Sequence, residues 1–579
     1  MGKTDHSQGY RKPDMAAFAG RIARHLKVIY KDNFSESLVN RILSIAQVHY
    51  YTRSGWNEKD TVLITYGNSI YKSDEAPLLT LHRFLNKRLA GTISCVHILP
   101  FFPFTSDDGF SVTDYMQVNP ALGAWENITA LASDYSVMSD LVINHVSVSH
   151  PWFKNYLSDT VPGKGYFIEK DPGADYSQVV RPRSTPLFTC YEVPGGQRKV
   201  WTTFSADQAD LNFSNPDVLI EMIRILLFYI SKGIRIIRLD AIAFLWKSEG
   251  TACLHLPETH QTVKLLRDLV DFVSPGTVIL TETNVPNLEN WSYFGDGDEA
   301  HMVYQFSLPP LLLHALFSGC AKYLNQWALE IPALRANQTF LNYTASHDGI
   351  GVRPLEGLLP QKEMDELIAG MIGFGGLVSS KTNPDGSLSP YEINITYLDA
   401  LKGDRNGTDE MQENRFICSQ TIMMSLQGIP AFYFNSLFGT SNDYEGAGIS
   451  GRARSINRKQ WREEELDHLL SLDTIHTRIF NELSRLIRIR QGCSAFHPNS
   501  LQKILITDER VFAFQRHNPE TGETICCISN LTGKSIEIRG IQGGVKKGYD
   551  LISCETSGLS DRIRMNSYQT KWMVEISNA

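Results

Sequence analysis

The stretch Gly233-Ile-Arg-Ile-Ile-Arg-Leu-Asp240 decides the fold. Ile234, Ile236, Ile237 and Leu239 are the bulky, largely β-branched residues of a buried strand. Arg238 and Asp240 interrupt the run at its C-terminal end. Two residues apart on a strand, they point to one face. A strand covered on both faces carries Arg and Asp inward only where they pair or do chemistry. Taken alone, the stretch fits a structural ion pair as well as a reactive one, and its neighbours have to decide.

Working outward, seven more short apolar runs read as strands: Thr61–Tyr66, Ile93–Leu99, Ser136–Asn144, Thr277–Glu282, His301–Phe306, Thr339–Ala345 and Pro430–Asn435. Helix-compatible spans lie between them, such as Pro77–Leu89 and the periodic Val263–Val273. Eight units in about 400 residues imply a (β/α)8 TIM barrel, an α/β fold. Polar residues gather where strands end: Asn144-His145, Arg238-Leu-Asp240, Glu282, and His347-Asp348. Asn-His or His-Asp alone is commonly just a turn. In a barrel, however, these ends converge on one mouth, where active sites are built.

The remaining segments sort by composition. Helices are expected over 16–50, the second from Ser35 to about Val48 with a serine cap. We divide the chain into barrel over 1–145, an inserted subdomain after strand three over 146–215, barrel again over 216–350, and a loop insertion after strand seven over 351–399. Barrel resumes over 400–495, and a C-terminal antiparallel β-domain fills 496–579. The first insertion is rich in Pro, Gly and aromatics and long enough to overhang the mouth. The Gly, Pro and Ser of the second suit a mobile loop. Val511-Phe-Ala-Phe-Gln-Arg and Glu523-Thr-Ile-Cys-Cys-Ile-Ser-Asn read as strands of an independent C-terminal unit.

Composition narrows the function. The net charge is −8 with both signs mixed along the chain, so no basic stripe suggests nucleic acid and no polybasic tail a membrane surface. No run approaches the roughly 18 apolar residues of a membrane span. Met1 to about Pro13 is polar, unlike a secretory signal. Nine scattered cysteines without a CxxC pair suit free thiols in a reducing compartment. We expect a cytoplasmic enzyme.

Asp240, Glu282 and Asp348 are three acids at three strand ends. Breaking a glycosidic bond with retention needs two carboxyl groups about 5–5.5 Å apart, one attacking the anomeric carbon and one moving the proton. Arg238 would keep Asp240 ionised. Burial and the charge on Asp240 would raise the pKa of Glu282. Asp348 would bond sugar hydroxyls in the transition state, and His145 and His347 would clamp them.

These motifs resemble the signature regions of the α-amylase superfamily, glycoside hydrolase family 13: Asp140…Asn144-His145, Arg238-x-Asp240, Glu282 and His347-Asp348, with Gln208-x-Asp210-Leu-Asn212 as a fifth. Ser106-Asp107-Asp108-Gly-Phe110, Arg181-Pro-Arg183, Pro390-Tyr391-Glu392-Ile-Asn and Ile456-Asn457-Arg458 are similar to its sucrose phosphorylase branch over nearly the whole chain. The resemblance implies Asp240 as nucleophile, Glu282 as acid/base and Asp348 as stabiliser. Asp107, His145, Gln208, Arg238, His347 and Arg458 would hold the glucosyl ring, with Phe110 and Phe204 as walls. Arg183 and Tyr391 would bind inorganic phosphate, the co-substrate. No cofactor or metal is implied. Asn144 stands where some relatives bind calcium, but the sequence puts no carboxylate cluster around it.

The acceptor side departs from sucrose phosphorylase at Glu392 and at Arg353-Pro354. An arginine at the mouth suits an anionic acceptor. Together with Leu355–Pro360, Asp240–Trp246 and Ala300–Pro310, it is similar to the glucosylglycerate phosphorylases of the branch. The implied reaction is 2-O-α-D-glucosylglycerate plus phosphate giving α-D-glucose 1-phosphate plus D-glycerate. Sucrose, sucrose 6-phosphate and glucosylglycerol remain alternative substrates, and the resemblance is compatible with a homodimer. A non-catalytic scaffold of the same superfamily would lack one or more of the three acids.

Overall fold

The computed structural model describes residues 14–46, 55–383, 385–539, 547–558 and 562–575. Eight parallel strands close into a barrel. They are β1 (Val62–Thr65), β2 (Cys95–Ile98), β3 (Ser136–Val142), β4 (Ile234–Asp240), β5 (Val278–Thr281), β6 (Met302–Tyr304), β7 (Thr339–Tyr343) and β8 (Ile429–Tyr433). Each pairs with the next in sequence, and β8 closes on β1 through Val62 opposite Ala431. All eight fall on the expected runs, with ends differing by no more than two residues. The anchor strand β4 starts after Gly233, whose φ of +94° provides the turn out of the preceding helix. That helix, Pro216–Ser231, opens with proline behind an Asn215 side-chain cap and is buried along most of its length.

The helical N-terminus also folds as expected over Met15–Tyr30 and Glu36–Ile45. Ser35 sits at the cap position, but its hydroxyl bonds the Ser37 hydroxyl at 2.8 Å and not the helix backbone. The expected end near Val48 lies outside the described residues.

Between β3 and the helix at Pro216, His145–Ser147 pairs antiparallel with Gln208–Asp210. The span between them carries a short helix, Pro151–Leu157, and a hairpin of Phe188–Val193 with Gly196–Trp201. After β7 the chain does not form the irregular loop expected from its composition. Ile350–Gly351, Leu388–Asn394 and Leu377–Thr382 make a three-stranded sheet, and Gln361–Gly373 is helical. Glycine permits this locally: a Cβ on Gly370 would stand 2.5 Å from the Phe317 ring.

The C-terminal strands form a six-stranded sheet and a separate two-stranded one. The sheet is less independent than its composition implies. Phe512, Phe514, Ile525, Cys527 and Trp572 join the main core, whereas Val511, Ala513, Cys526, Ile528 and Met573 form a cluster of their own. The alternation is the two-residue period of strands with both faces covered. Buried arginines stitch this junction. Arg490 donates to the carbonyls of Met424 at 2.7 Å, Glu58 at 2.6 Å and Phe496 at 3.2 Å. Arg516 reaches those of Ser425 at 2.9 Å and His497 at 2.8 Å. Arg490→Ala strands several buried carbonyls, each worth about 1–3 kcal/mol when unsatisfied. We expect a clear drop in the thermal midpoint with kcat/KM of the folded fraction unchanged, measured by calorimetry and activity side by side.

Candidate active site

Arg238 lies at the centre of the barrel mouth, 3% exposed. Its neighbour across the ladder on β3 is Asp140, fully buried, which it pairs with directly. Asp140 also bonds His97 Nε2 of β2 at 2.8 Å. On the other side the same guanidinium bonds Asp240 Oδ1 at 2.8 Å and stands 4.0 Å from Glu282 Oε2. The inward pair read from the sequence is therefore one section of a buried chain, His97–Asp140–Arg238–Asp240. His97, a lone polar residue in the buried Cys95–Ile98 run, was missed. It carries the same signal as Arg238, a polar side chain inside an apolar strand.

Asp240 and Glu282 converge on one cavity. Ala241, just after Asp240, adopts a left-handed conformation (φ 52°), unusual for a residue with a Cβ. It thereby turns its N–H onto Glu282 Oε2 at 2.8 Å. Burial raises both carboxyl groups to about 7. Arg238 opposes this, more strongly at Asp240, where it is 2.8 Å away against 4.0 Å at Glu282. Asp140 in turn raises Asp240, and the Ala241 N–H favours the ionised form of Glu282.

Asp348 behaves differently. Burial raises its pKa, but Arg454, Arg458, Arg238 and Arg183 together outweigh burial and hold it below the usual carboxylate range. Burial likewise raises Asp107, and Arg454, Arg458 and Arg183 bring it below its ordinary value. Two ionised carboxylates thus face the pair that retains a proton.

The cavity, about 700 Å³ of space open to its mouth, is lined by Asp107, Phe110, His145, Arg183, Phe204, Gln208, Arg238, Asp240, Glu282, His347, Asp348, Arg353 and Tyr391, all expected at the site. Phe110 stacks on the His347 ring with centroids 4.9 Å apart. Burial and the charges of Arg458 and Arg238 push His347 well below its ordinary pKa, so it is neutral. His145 Nε2 bonds the Phe110 carbonyl at 3.0 Å. Gln208 Nε2 donates to Asp107 Oδ2 at 3.2 Å. From the first insertion, Arg183 lies over the rings of Phe204 at 6.0 Å and Tyr391 at 5.3 Å. Arg353 faces Glu289 at 3.7 Å.

Two expected sugar- or acceptor-facing residues do not line this cavity. Arg458 pairs with Asp108, donates to the His347 carbonyl at 2.7 Å and stands 3.9 Å from Asp348 Oδ1. Glu392, 1% exposed, is taken up by Arg454. Arg454 itself lines the cavity and was missed. It belongs to the basic run Arg452-Ala-Arg454 just before Ile456-Asn457-Arg458, and nothing in that run marks which arginine points inward. Asn284 and Phe244 also line the cavity without a sequence signal.

Beside His145, Lys247 Nζ sits 2.7 Å from Asn144 Oδ1 and 2.7 Å from Asp210 Oδ2. Asp210 further accepts from Thr203 N at 2.7 Å and Thr203 Oγ1 at 2.7 Å. An ammonium group therefore occupies the oxygen cluster around Asn144. Among the described residues, no group of three or more His, Cys, Asp or Glu is arranged to hold a metal ion. No helix there is long and apolar enough to cross a membrane.

Comparison with known proteins agrees with this geometry. Residues 90–348 match the α-amylase catalytic domain. The chain is 43% identical to the glucosylglycerate phosphorylase of Escherichia coli K12, over 96% of this chain and 99% of that one. It is 42% identical to the glucosylglycerate phosphorylase of Allomeiothermus silvanus, over 96% and 98%. The crystal structure of sucrose 6F-phosphate phosphorylase from Thermoanaerobacter thermosaccharolyticum shares the fold, with a TM-score of 0.71 and 24% identity over 82% of this chain and 94% of that one. The chain belongs to the α-amylase family, within its branch of glycoside phosphorylases.

Proposed function

We propose that the protein is a retaining α-glucoside phosphorylase converting 2-O-α-D-glucosylglycerate and inorganic phosphate into α-D-glucose 1-phosphate and D-glycerate. The observation that carries this reading is a single cavity lined both by Asp240 and Glu282 and by Arg183, Arg353 and Tyr391. Two carboxyl groups suffice for a hydrolase. Fixed guanidinium forks and a phenol at the same cavity suit anionic partners, here phosphate and a carboxylate. Both relatives reported above are glucosylglycerate phosphorylases.

In the first half-reaction, the Asp240 carboxylate attacks the anomeric carbon. The bond to the glycerate oxygen breaks, and Glu282 gives that oxygen its proton. In the second, Glu282 takes a proton from phosphate, whose oxygen displaces Asp240 from the anomeric carbon. Arg238 keeps the nucleophile ionised between its turns. Asp348, held as an anion, accepts hydrogen bonds from sugar hydroxyls as positive charge develops on the ring. Asp107, Phe110, His145, Phe204, Gln208 and His347 enclose the ring. Arg183 and Tyr391 receive phosphate, and Arg353 receives the glycerate carboxylate.

The direct test is incubation of the purified protein with glucosylglycerate, with and without phosphate. We expect glucose 1-phosphate and glycerate in equal amounts, only with phosphate. Phosphate-independent release of glucose at a similar rate defeats the proposal.

Glu282 must be protonated for the first step and Asp240 ionised. With the pair titrating up to about 7, kcat/KM for phosphorolysis should fall as pH rises past about 7, when the pair loses its last proton. Glu282→Gln should lose most activity on glucosylglycerate, keep more on a glucoside whose leaving group needs no proton, and lose the alkaline limb. A persisting limb assigns the acid to another group.

Arg353→Ala should raise KM for glycerate in the synthetic direction about tenfold or more, the worth of a charge-assisted contact. The KM for glycerol should be spared. Equal change for both acceptors removes the role given to Arg353.

A further inference from the structure

His97 is the one polar residue of β2. Its strand neighbours Cys95, Val96 and Ile98 are apolar and buried, and His97 itself is 1% exposed. The ladder fixes it between Ile64 on β1 and Met138 on β3. Burying an imidazole costs free energy unless its nitrogens are used. Nδ1 is buried without a hydrogen-bond partner among the described residues. The polar work of the ring therefore falls on Nε2, 2.8 Å from Asp140 Oδ2. Burial raises the pKa of Asp140, but Arg238 and His97 outweigh burial and hold the group as an anion. A carboxylate offers no hydrogen, so the Nε2–H is the donor.

That bond divides the two oxygens of Asp140. Oδ2 goes to His97, and Oδ1 alone pairs with Arg238 Nη1. An arginine beside a carboxylate favours a two-point fork. Arg238 has a donor to spare for one, since its Nε is buried without a partner among the described residues. The fork does not form while His97 holds the second oxygen. Nη1 consequently serves two anions, Asp140 Oδ1 and, at 2.8 Å, Asp240 Oδ1.

We propose that His97 is a positioning residue that restrains Asp140 to a single contact with Arg238 and so keeps the guanidinium on Asp240. Without the imidazole, Asp140 Oδ2 turns to Arg238, the pair closes into a fork, and Arg238 is drawn away from the nucleophile. This rests on the glucosyl-enzyme reading above.

Asp240 faces Arg238 on its own strand, Asp140 on β3, Glu282 after β5, Asp348 after β7 and the Tyr115 phenol. Burial raises its pKa, as do Asp140 and Asp348, and Arg238 lowers it. Drawing Arg238 away therefore raises it further, and attack then needs a higher pH.

The test is the burst of fluoride from α-D-glucosyl fluoride, without glycerate or phosphate, followed against pH. Fluoride is a good leaving group, so the acid limb of the burst reports ionisation of Asp240 and not proton donation by Glu282. His97→Leu removes the donor. His97→Gln keeps an N–H at similar reach and carries no charge. We expect His97→Leu to slow the burst about tenfold and to move its acid limb up by about half a pH unit or more, part of what a cation in contact does to a carboxylate. His97→Gln should return the burst to within about twofold of wild type and restore the limb. KM for phosphate and for glycerate should stay within about twofold in both, because Arg183, Tyr391 and Arg353 lie on other segments. Should His97→Leu not fold, His97→Met, an adaptable apolar side chain without a donor, carries the test. A wild type without a burst overturns the glucosyl-enzyme reading and this proposal with it. A wild-type burst whose acid limb stays in place in the donor-less variant overturns this proposal alone, as does a His97→Gln enzyme as impaired as that variant.

Discussion

A guanidinium closed inside a barrel has to be compensated, and the compensation of Arg238 organises this molecule. Removing one partner of a buried ion pair is far more costly than the pair is worth, because the remaining charge is stranded. Arg238 has Asp140 beneath it, anchored by His97, and Asp240 beside it, with Glu282 at the edge of its field. Asp140 is spent on neutralising the cation. What charge is left over falls unequally on the two groups facing the cavity. In the proposed mechanism the nearer group, Asp240, attacks and the farther, Glu282, protonates; Glu282 is also the more exposed of the two, 15% against 10% at the side chain. The Ala241 N–H, turned by a costly left-handed conformation, pulls the other way, because a donor to Glu282 favours its ionised form.

A second electrostatic region balances the first. On the far side of the cavity, Arg454 and Arg458 keep Asp107 and Asp348 as anions despite burial. One wall stores a proton and the other refuses one. In the proposed reaction a sugar ring between them would meet hydrogen-bond acceptors on one face and the Asp240–Glu282 pair on the other. The two walls come from different parts of the chain, strands β2 to β5 for the first and the segments after β2, β7 and β8 for the second. Closure of the barrel brings them together.

What could be read from the sequence follows from this division. The strands were legible because a β-strand covered on both faces must be a short apolar run, and polar residues at its end stand out. Asp240, Glu282 and Asp348 were visible for that reason. His97 gives the same signal, but a single histidine among apolar residues is easily passed over. The partnership of Arg454 with Glu392 was not legible, since it forms only when residues 377–394 fold back onto the end of β7. Their Gly, Pro and Ser content describes the turns of that segment and hides its sheet. The C-terminal strands were recognisable by alternation, but alternation does not say that one face joins the barrel core. Nor could the sequence say that Arg454, four residues before Arg458, would line the cavity.

Lys247 has a consequence for the whole first insertion. Its ammonium joins Asn144, at the end of β3, to Asp210, on the returning edge of the insertion. A dissolved ion doing this job would come and go with its concentration outside. A cation carried on the chain's own side chain never has to be captured, since its effective concentration is set by the fold. The insertion is thereby latched to the barrel from within, by a charge that the chain itself supplies.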